Sequence, residues 1–228
     1  MNARELWMNA RNNSVRAARA IKHLSLHKKY HEYTMMPAAS FWRNLLIVDE
    51  RRNVDGCVVE CGVWRGGMSA GMAEVLGPTR EYFLFDSFEG LPLAKPVDGE
   101  AAIKWQKDIK SPNYYDNCKA EVEWAEQAMK RSRAPKYNVV KGWFSETLPR
   151  FEPPCPIAIL RLDGDWYEST TTALEALFKH VAHDGIVIVD DYYTWDGCSR
   201  AVHDFLSRNQ LTARVTQRRG ICVLELRS

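Results

Sequence analysis

The chain has 228 residues, 46% hydrophobic and 26% charged, enough for one sizeable core and short of two, since a domain takes about 100 to 200 residues. Lysine plus arginine (31) exceeds aspartate plus glutamate (29) by two, a balance that fits neither a nucleic-acid-binding stripe nor an acidic solvating chain. No run of about 18 apolar residues occurs and residues 1–30 lack a secretory signal's apolar core, so a soluble, cytosolic chain with no membrane insertion and no nucleic-acid partner is expected.

Residues 1–30 are basic, with Arg4, Arg11, Arg16, Arg19, Lys22, Lys28 and Lys29 against Glu5. Leu6, Ala10, Ala17, Ile21 and Leu24 give a loose helical stripe. Such an arm packs on its own domain or on a second subunit, which makes a homo-oligomer one expectation, or touches an anionic surface. A second helix, roughly 38–52, sets Phe41, Leu45, Leu46 and Val48 on one side. Residues 1–52 thus read as a helical arm and cap, and 53–228 as the main domain.

From Cys57 the pattern changes to short apolar runs separated by helical stretches: 57–60, 82–86, 137–140, 157–163 and 185–191. Near-continuous aliphatic strands are what a parallel sheet with helices on both faces requires. A last pair, about 213–216 and 220–226, lies too close together for a crossover helix and predicts an antiparallel hairpin. This α/β plan, a Rossmann-like parallel sheet finished by a C-terminal antiparallel hairpin, is by analogy that of class I S-adenosylmethionine-dependent methyltransferases. The polar segment 87–117, with Pro92, Pro96, Gly99, Trp105 and Pro112, predicts a lid beyond the second strand, and a helix is expected over about 116–131. The six cysteines form no C-x-x-C pair and read as buried thiols of a reducing compartment.

Ligands of a parallel sheet bind outside the carboxyl ends of its strands, and here those ends are acidic. The first ends in Glu60-Cys61-Gly62-Val63-Trp64-Arg65-Gly66-Gly67, a turn that serves a ligand or merely bends the chain. Trp64 stands where a dinucleotide fold places its second glycine, which argues against pyrophosphate. The second ends in Asp86, placed to accept ribose hydroxyls or to cap a loop. Asp163-Gly164-Asp165 and Asp190-Asp191 put four carboxylates on neighbouring tips, where they repel one another unless positive charge lies between. A hard divalent cation resolves this, magnesium first, then manganese or calcium. His180 and His183 are expected at a helix end and His203 inside a helix, all structural. No serine or cysteine triad is present.

The chain resembles the macrocin and mycinamicin O-methyltransferases, a family of magnesium-dependent sugar O-methyltransferases. The matching stretches are 33–35, 59–67, 85–92, 142–144 with 147–149, 162–165 and 190–192, followed by Trp195, Gly197, Arg200, Ala201 and Val202. The resemblance implies that Glu60, Gly62, Val63, Trp64 and Gly66 hold the methionine part of S-adenosylmethionine, with Ser69 on its carboxylate and Asp86 on the ribose. Ser87, Phe88, Gly142, Trp143 and Phe144 would border the adenosine, and Thr34 and Met35 would close the pocket. Asp163, Asp190 and Asp191 would bind Mg2+, and Asp165 would be the general base. The implied partner is a small-molecule hydroxyl acceptor, such as a glycosylated natural product. Two other readings share part of the pattern: a metal-dependent glycosyltransferase using Asp163-Gly164-Asp165, and an adenosylmethionine-binding protein without catalysis.

Overall fold

The computed structural model describes residues 21 and 23–226. Of the basic helical arm expected over residues 1–30, residues 1–20 and 22 lie outside the described residues, and the rest is helical. Seven strands form one sheet: β1 (Cys57–Cys61), β2 (Glu81–Asp86), β3 (Lys136–Lys141), β4 (Ile157–Leu162), β5 (Val181–Val189), β6 (Arg214–Arg218) and β7 (Ile221–Glu225), in the order β3-β2-β1-β4-β5-β7-β6. The first five are parallel, and β7 pairs antiparallel with both β5 and β6. Every residue of β1 and β4 is buried, as central strands covered on both faces must be. The edge strands β3 and β6 are polar and partly exposed, a composition that discourages pairing with a further chain.

Strand β5 begins at Val181, four residues before the predicted run. Its pairing with β4 jumps from Ile157↔Val181 to Ile159↔Ile186, so the intervening residues bulge outward. The preceding helix has already tightened into a 3-10 turn at Phe178–His180. His183, expected at a helix end, therefore stands exposed in the strand's bulge.

Helices precede, link and cover the strands: α1 (residues 23–30), α2 (Ala38–Asp49), α3 (Gly67–Leu76), α4 (Glu100–Lys107), α5 (Val122–Ser132), α6 (Phe144–Thr147), α7 (Tyr167–Leu177) and α8 (Asp196–Arg208). Because successive strand side chains point to opposite faces, the sheet divides its apolar residues between two cores. Val58, Tyr82 and Leu84 meet Phe41, Leu45, Ala125 and Met129 on one side. On the other, Val59, Phe83 and Phe85 share a cluster with Leu174, Leu177, Val202 and Phe205. Helix α2 thus belongs to the same core as the sheet it overlies.

The segment 87–121 departs from the predicted polar loop, because it contains a 3-10 turn at Pro96–Asp98 and the two-turn helix α4. Pro96 and Gly99 signalled a loop, yet Gly99 at φ 90 admits the chain to the helix and Trp105 packs inward at 6.1 and 6.0 Å from the rings of Trp166 and Trp195. The following helix starts at Val122 rather than Asp116, since four residues in a row, Tyr115 to Cys118, adopt φ between 49 and 61. Asp and Asn tolerate this left-handed conformation best, and Asn117 locks it by donating from Nδ2 to Leu91 O (2.7 Å) and accepting from Gln106 Nε2 (3.0 Å).

Candidate active site

The chain leaves β1 toward β2 on one side and enters β4 on the other, so the sheet order reverses between these two strands. That crevice is the place where open α/β sheets bind ligands. A cavity of about 530 Å³ occupies it, a volume usual for a small-molecule site. Of the residues singled out from the sequence, Thr34, Met35, Glu60, Gly62, Val63 and Trp64 line it. So do Asp86, Ser87, Trp143 and Phe144, and all four rim carboxylates, Asp163, Asp165, Asp190 and Asp191.

Four expected contacts stand outside this lining: Gly66, Ser69, Phe88 and Gly142. The Ser69 hydroxyl donates to Glu60 Oε2 and is buried there, so it orients an acid instead of facing the cavity. Phe88 lies in the core and contributes its backbone N–H, which donates to Asp86 Oδ1 at 2.7 Å. Gly66 (φ 78) and Gly142 (φ 145) shape the chain, and a Cβ at Gly66 would come within 2.8 Å of the Ala125 backbone.

Asp86 closes the turn after β1. Its Oδ2 accepts the N–H groups of Val63 and Trp64, both at 2.8 Å, which holds Trp64 at an unfavourable φ of 48. Burial raises the Asp86 pKa, while these backbone N–H groups and that of Phe88 work against the rise. Gly62 (φ 88) runs so close to β4 that a Cβ there would meet the carbonyl oxygen of Asp163 at 1.9 Å. The acid at the end of β2 and the glycine after β1 therefore fix one backbone shape together.

The residue that sequence reasoning missed is Arg161. It sits inside an otherwise aliphatic strand, fully buried, and lies in register beside Glu60 on β1. Nη1 donates to Glu60 Oε1 (2.7 Å) and Asp163 Oδ2 (2.8 Å), and Nη2 meets Asp190 Oδ1 (2.8 Å). Asn44, buried on α2, bridges the same groups, with Nδ2 on Asp190 Oδ1 (3.3 Å) and Oδ1 near Arg161 Nε (3.4 Å). The signal was present: a charge inside a strand covered on both faces needs a partner, and Glu60 and Asp163 were the acids within reach. The expectation that a cation alone relieves the crowded tips is corrected accordingly, because Arg161 supplies one positive charge from below.

One charge does not suffice. Glu60, Asp163, Asp165, Asp190 and Asp191 are five acids near one guanidinium, and the crowding appears in the proton affinities of Glu60, Asp163, Asp165 and Asp191. Burial, then the nearby charge of Asp163, pushes Asp165 up to about 8. Burial raises Asp163 to about 6, with Arg161 opposing and Asp190 assisting. Asp191 lies well above the ordinary carboxylate range for the same reasons, burial first and then Asp165 and Asp163. Glu60 is raised to about 7 by burial in spite of Arg161 and Ser69. Arg161 stays protonated, because its three acids outweigh the cost of burial.

Asp163, Asp190 and Asp191 each bring one oxygen within 4.8 Å of the others', a hard donor set that fits an oxygen-seeking divalent cation. Asp165 faces the same space from a left-handed conformation (φ 59). Its N–H donates to Asp191 Oδ2 at 3.1 Å, and its Oδ1 accepts the Trp195 indole N–H at 2.8 Å, which leaves Oδ2 without a donor among the described residues. Trp195 stacks edge-on with Trp166 (5.3 Å) and Trp105 (6.0 Å), so an aromatic wall joins the acidic rim to α4.

Among curated proteins, the chain is 36% identical over 170 residues to the 8-demethyl-8-(2,3-dimethoxy-alpha-L-rhamnosyl)-tetracenomycin-C 4'-O-methyltransferase of Streptomyces olivaceus, covering 72% of this chain and 63% of that protein. It is 35% identical over 166 residues to the demethyldecarbamoylnovobiocin O-methyltransferase of Streptomyces niveus, covering 68% and 60%. The chain therefore spans somewhat less than two thirds of the length of these relatives. The solved O-methyltransferase NovP superposes with a TM-score of 0.71 at 26% identity, over 86% of this chain and 83% of that one. The family model for macrocin-O-methyltransferase (TylF) matches residues 30–224; the chain belongs to this family.

Proposed function

We propose that the protein transfers a methyl group from S-adenosylmethionine to a sugar hydroxyl of a glycosylated small molecule, with a magnesium ion at the acidic rim. The observation that carries this reading is that one cavity joins the Glu60–Trp64 turn and Asp86 to the carboxylates of β4 and β5. When bound, the cofactor would supply an electrophilic methyl group and the divalent ion would lower the pKa of the acceptor hydroxyl.

The chain's own residues then have distinct tasks. Asp86 and the backbone of Gly62 to Trp64 would hold the nucleoside and methionine ends of the donor. Asp163, Asp190 and Asp191 would hold the ion. Asp165 Oδ2, the oxygen left without a protein donor, would receive the acceptor's proton, while Trp195 keeps the other oxygen turned away. The lid and the aromatic wall behind it would exclude water and present apolar surface to the sugar and aglycone. The six cysteines are free, in keeping with a reducing compartment, which supports the cytosolic placement. Family membership argues against the glycosyltransferase reading.

The test is transfer of labelled methyl from S-adenosylmethionine to a panel of rhamnosyl and other deoxysugar conjugates, with magnesium or with chelator. Magnesium-stimulated product on at least one conjugate is expected, together with a rise in Tm on adding S-adenosylmethionine but not UDP-sugars or NAD. Stabilisation by a UDP-sugar alone, or equal transfer in chelator, would overturn the reading.

A further inference from the structure

The three acids that face one another at the rim share a feature beyond their proximity: each has one oxygen already engaged by a donor of the protein. On Asp163 it is Oδ2, held by Arg161 Nη1 at 2.8 Å. On Asp190 it is Oδ1, held by Arg161 Nη2 at 2.8 Å and by Asn44 Nδ2 at 3.3 Å. On Asp191 it is Oδ2, which accepts the Asp165 N–H at 3.1 Å. What each acid presents is thus a single oxygen.

We propose that Arg161, buttressed by Asn44, is a specificity-determining positioning residue that confines Asp163 and Asp190 to one-oxygen ligation and so tunes the site to magnesium against calcium. The inference rests on the metal reading above and goes beyond it. Calcium takes about six to eight oxygens and commonly draws on both oxygens of a carboxylate, whereas magnesium takes about six at shorter range and accepts water for several of them. Three single oxygens supply half of a magnesium shell and leave room for water and the acceptor. To add the second oxygens that calcium favours, Asp163 and Asp190 would have to turn away from a fully buried guanidinium and leave its charge uncompensated. The fork of Arg161 is needed because its two terminal nitrogens reach the two acids at once, which a lysine ammonium, a point charge on a flexible stem, does not reproduce.

The test uses the full chain and Mn2+ as probe, followed by its electron paramagnetic resonance signal and displaced by Mg2+ or Ca2+; no acceptor is required. Wild-type protein is expected to release Mn2+ at lower Mg2+ than Ca2+ concentration. In Arg161→Lys that preference should fall by about tenfold or more, the scale on which groups supporting metal ligands act. Asn44→Ala, which keeps the buried charge, should shift the ratio in the same direction by less, and serves if the lysine variant fails to fold. A wild-type site that takes Ca2+ as readily as Mg2+ overturns the inference alone, as does an unchanged ratio in the variants that fold. Failure of wild-type protein to bind Mn2+ overturns the metal reading and the inference with it.

Discussion

Asp165 and Asp86 are both carboxylates at the sheet's rim, and their hydrogen bonds give them different work. Asp165 has one oxygen on the Trp195 indole, and on the proposed function its other oxygen would take up the acceptor's proton. Asp165→Asn keeps the size and the indole contact but removes the basic oxygen, and kcat should fall about 10² to 10⁴-fold, with S-adenosylmethionine affinity close to wild type. Steady-state and single-turnover rates on the best conjugate of the panel check this, and a near-parental rate would show that another group accepts the proton. Asp86, by contrast, accepts backbone N–H groups on both oxygens. In Asp86→Asn either amide orientation sets an NH₂ against an N–H donor, and a lost buried acceptor costs about 1 to 3 kcal/mol. The dissociation constant for S-adenosylmethionine should therefore rise about ten- to hundredfold, measured by calorimetry, while kcat at saturating donor changes less.

At the scale of elements, the segment 87–121, proposed as a lid, is tied to the helices of the second core. Asp98 is buried and accepts the Tyr167 N–H at the start of α7 (2.7 Å) and the Lys95 N–H (2.7 Å). Gly197 in α8 passes so near that a Cβ there would meet Asp98 Oδ1 at 2.4 Å. Trp166 Nε1 and Gln106 Nε2 both donate to Pro92 O, each at 2.9 Å. Asp98→Ala leaves two N–H groups unpaired and should lower Tm by several degrees, given about 1 to 3 kcal/mol per lost buried acceptor. It should also expose the segment to trypsin at Lys104 or Lys107; unchanged proteolysis would mean that the aromatic contacts of Trp105 suffice to hold it. Strands and their acidic tips were legible in the sequence because a parallel sheet buried on both faces writes itself as uninterrupted aliphatic runs. Helix α4 was not, because it spans only two turns behind Pro96 and Gly99 and packs through Trp105 on rings more than sixty residues away. Arg161 escaped for a related reason: read along β4 it is one charge in an apolar run, and its meaning comes from Glu60 across the ladder and Asp190 just past the end of β5.

On the scale of the whole molecule, the switch in strand order brings five acids to one place, with a single fully buried arginine among them, and the folded chain carries that crowding as a dependence on pH. Glu60 (about 7), Asp163 (about 6) and Asp165 (about 8) all hold protons more tightly in the fold than in the unfolded chain, where such groups titrate near about 4. Between about pH 4 and 8 the native state therefore binds more protons than the unfolded state, so stability falls as pH rises across that window. Arg161 does not reverse the sign, since it is protonated on both sides of the transition. In chelator, Tm should decline from pH 5.5 to 8.5, and Asp165→Asn, which cannot ionise, should flatten the decline. On the proposed function, saturating magnesium would bind the ionised acids of the native state alone, so it should raise Tm most at the alkaline end. Differential scanning calorimetry across this range, with and without the ion, decides the matter: a Tm in chelator that climbs toward pH 8.5, or a magnesium effect that is larger at pH 5.5, would mean that Glu60, Asp163 and Asp165 do not hold extra protons in the fold.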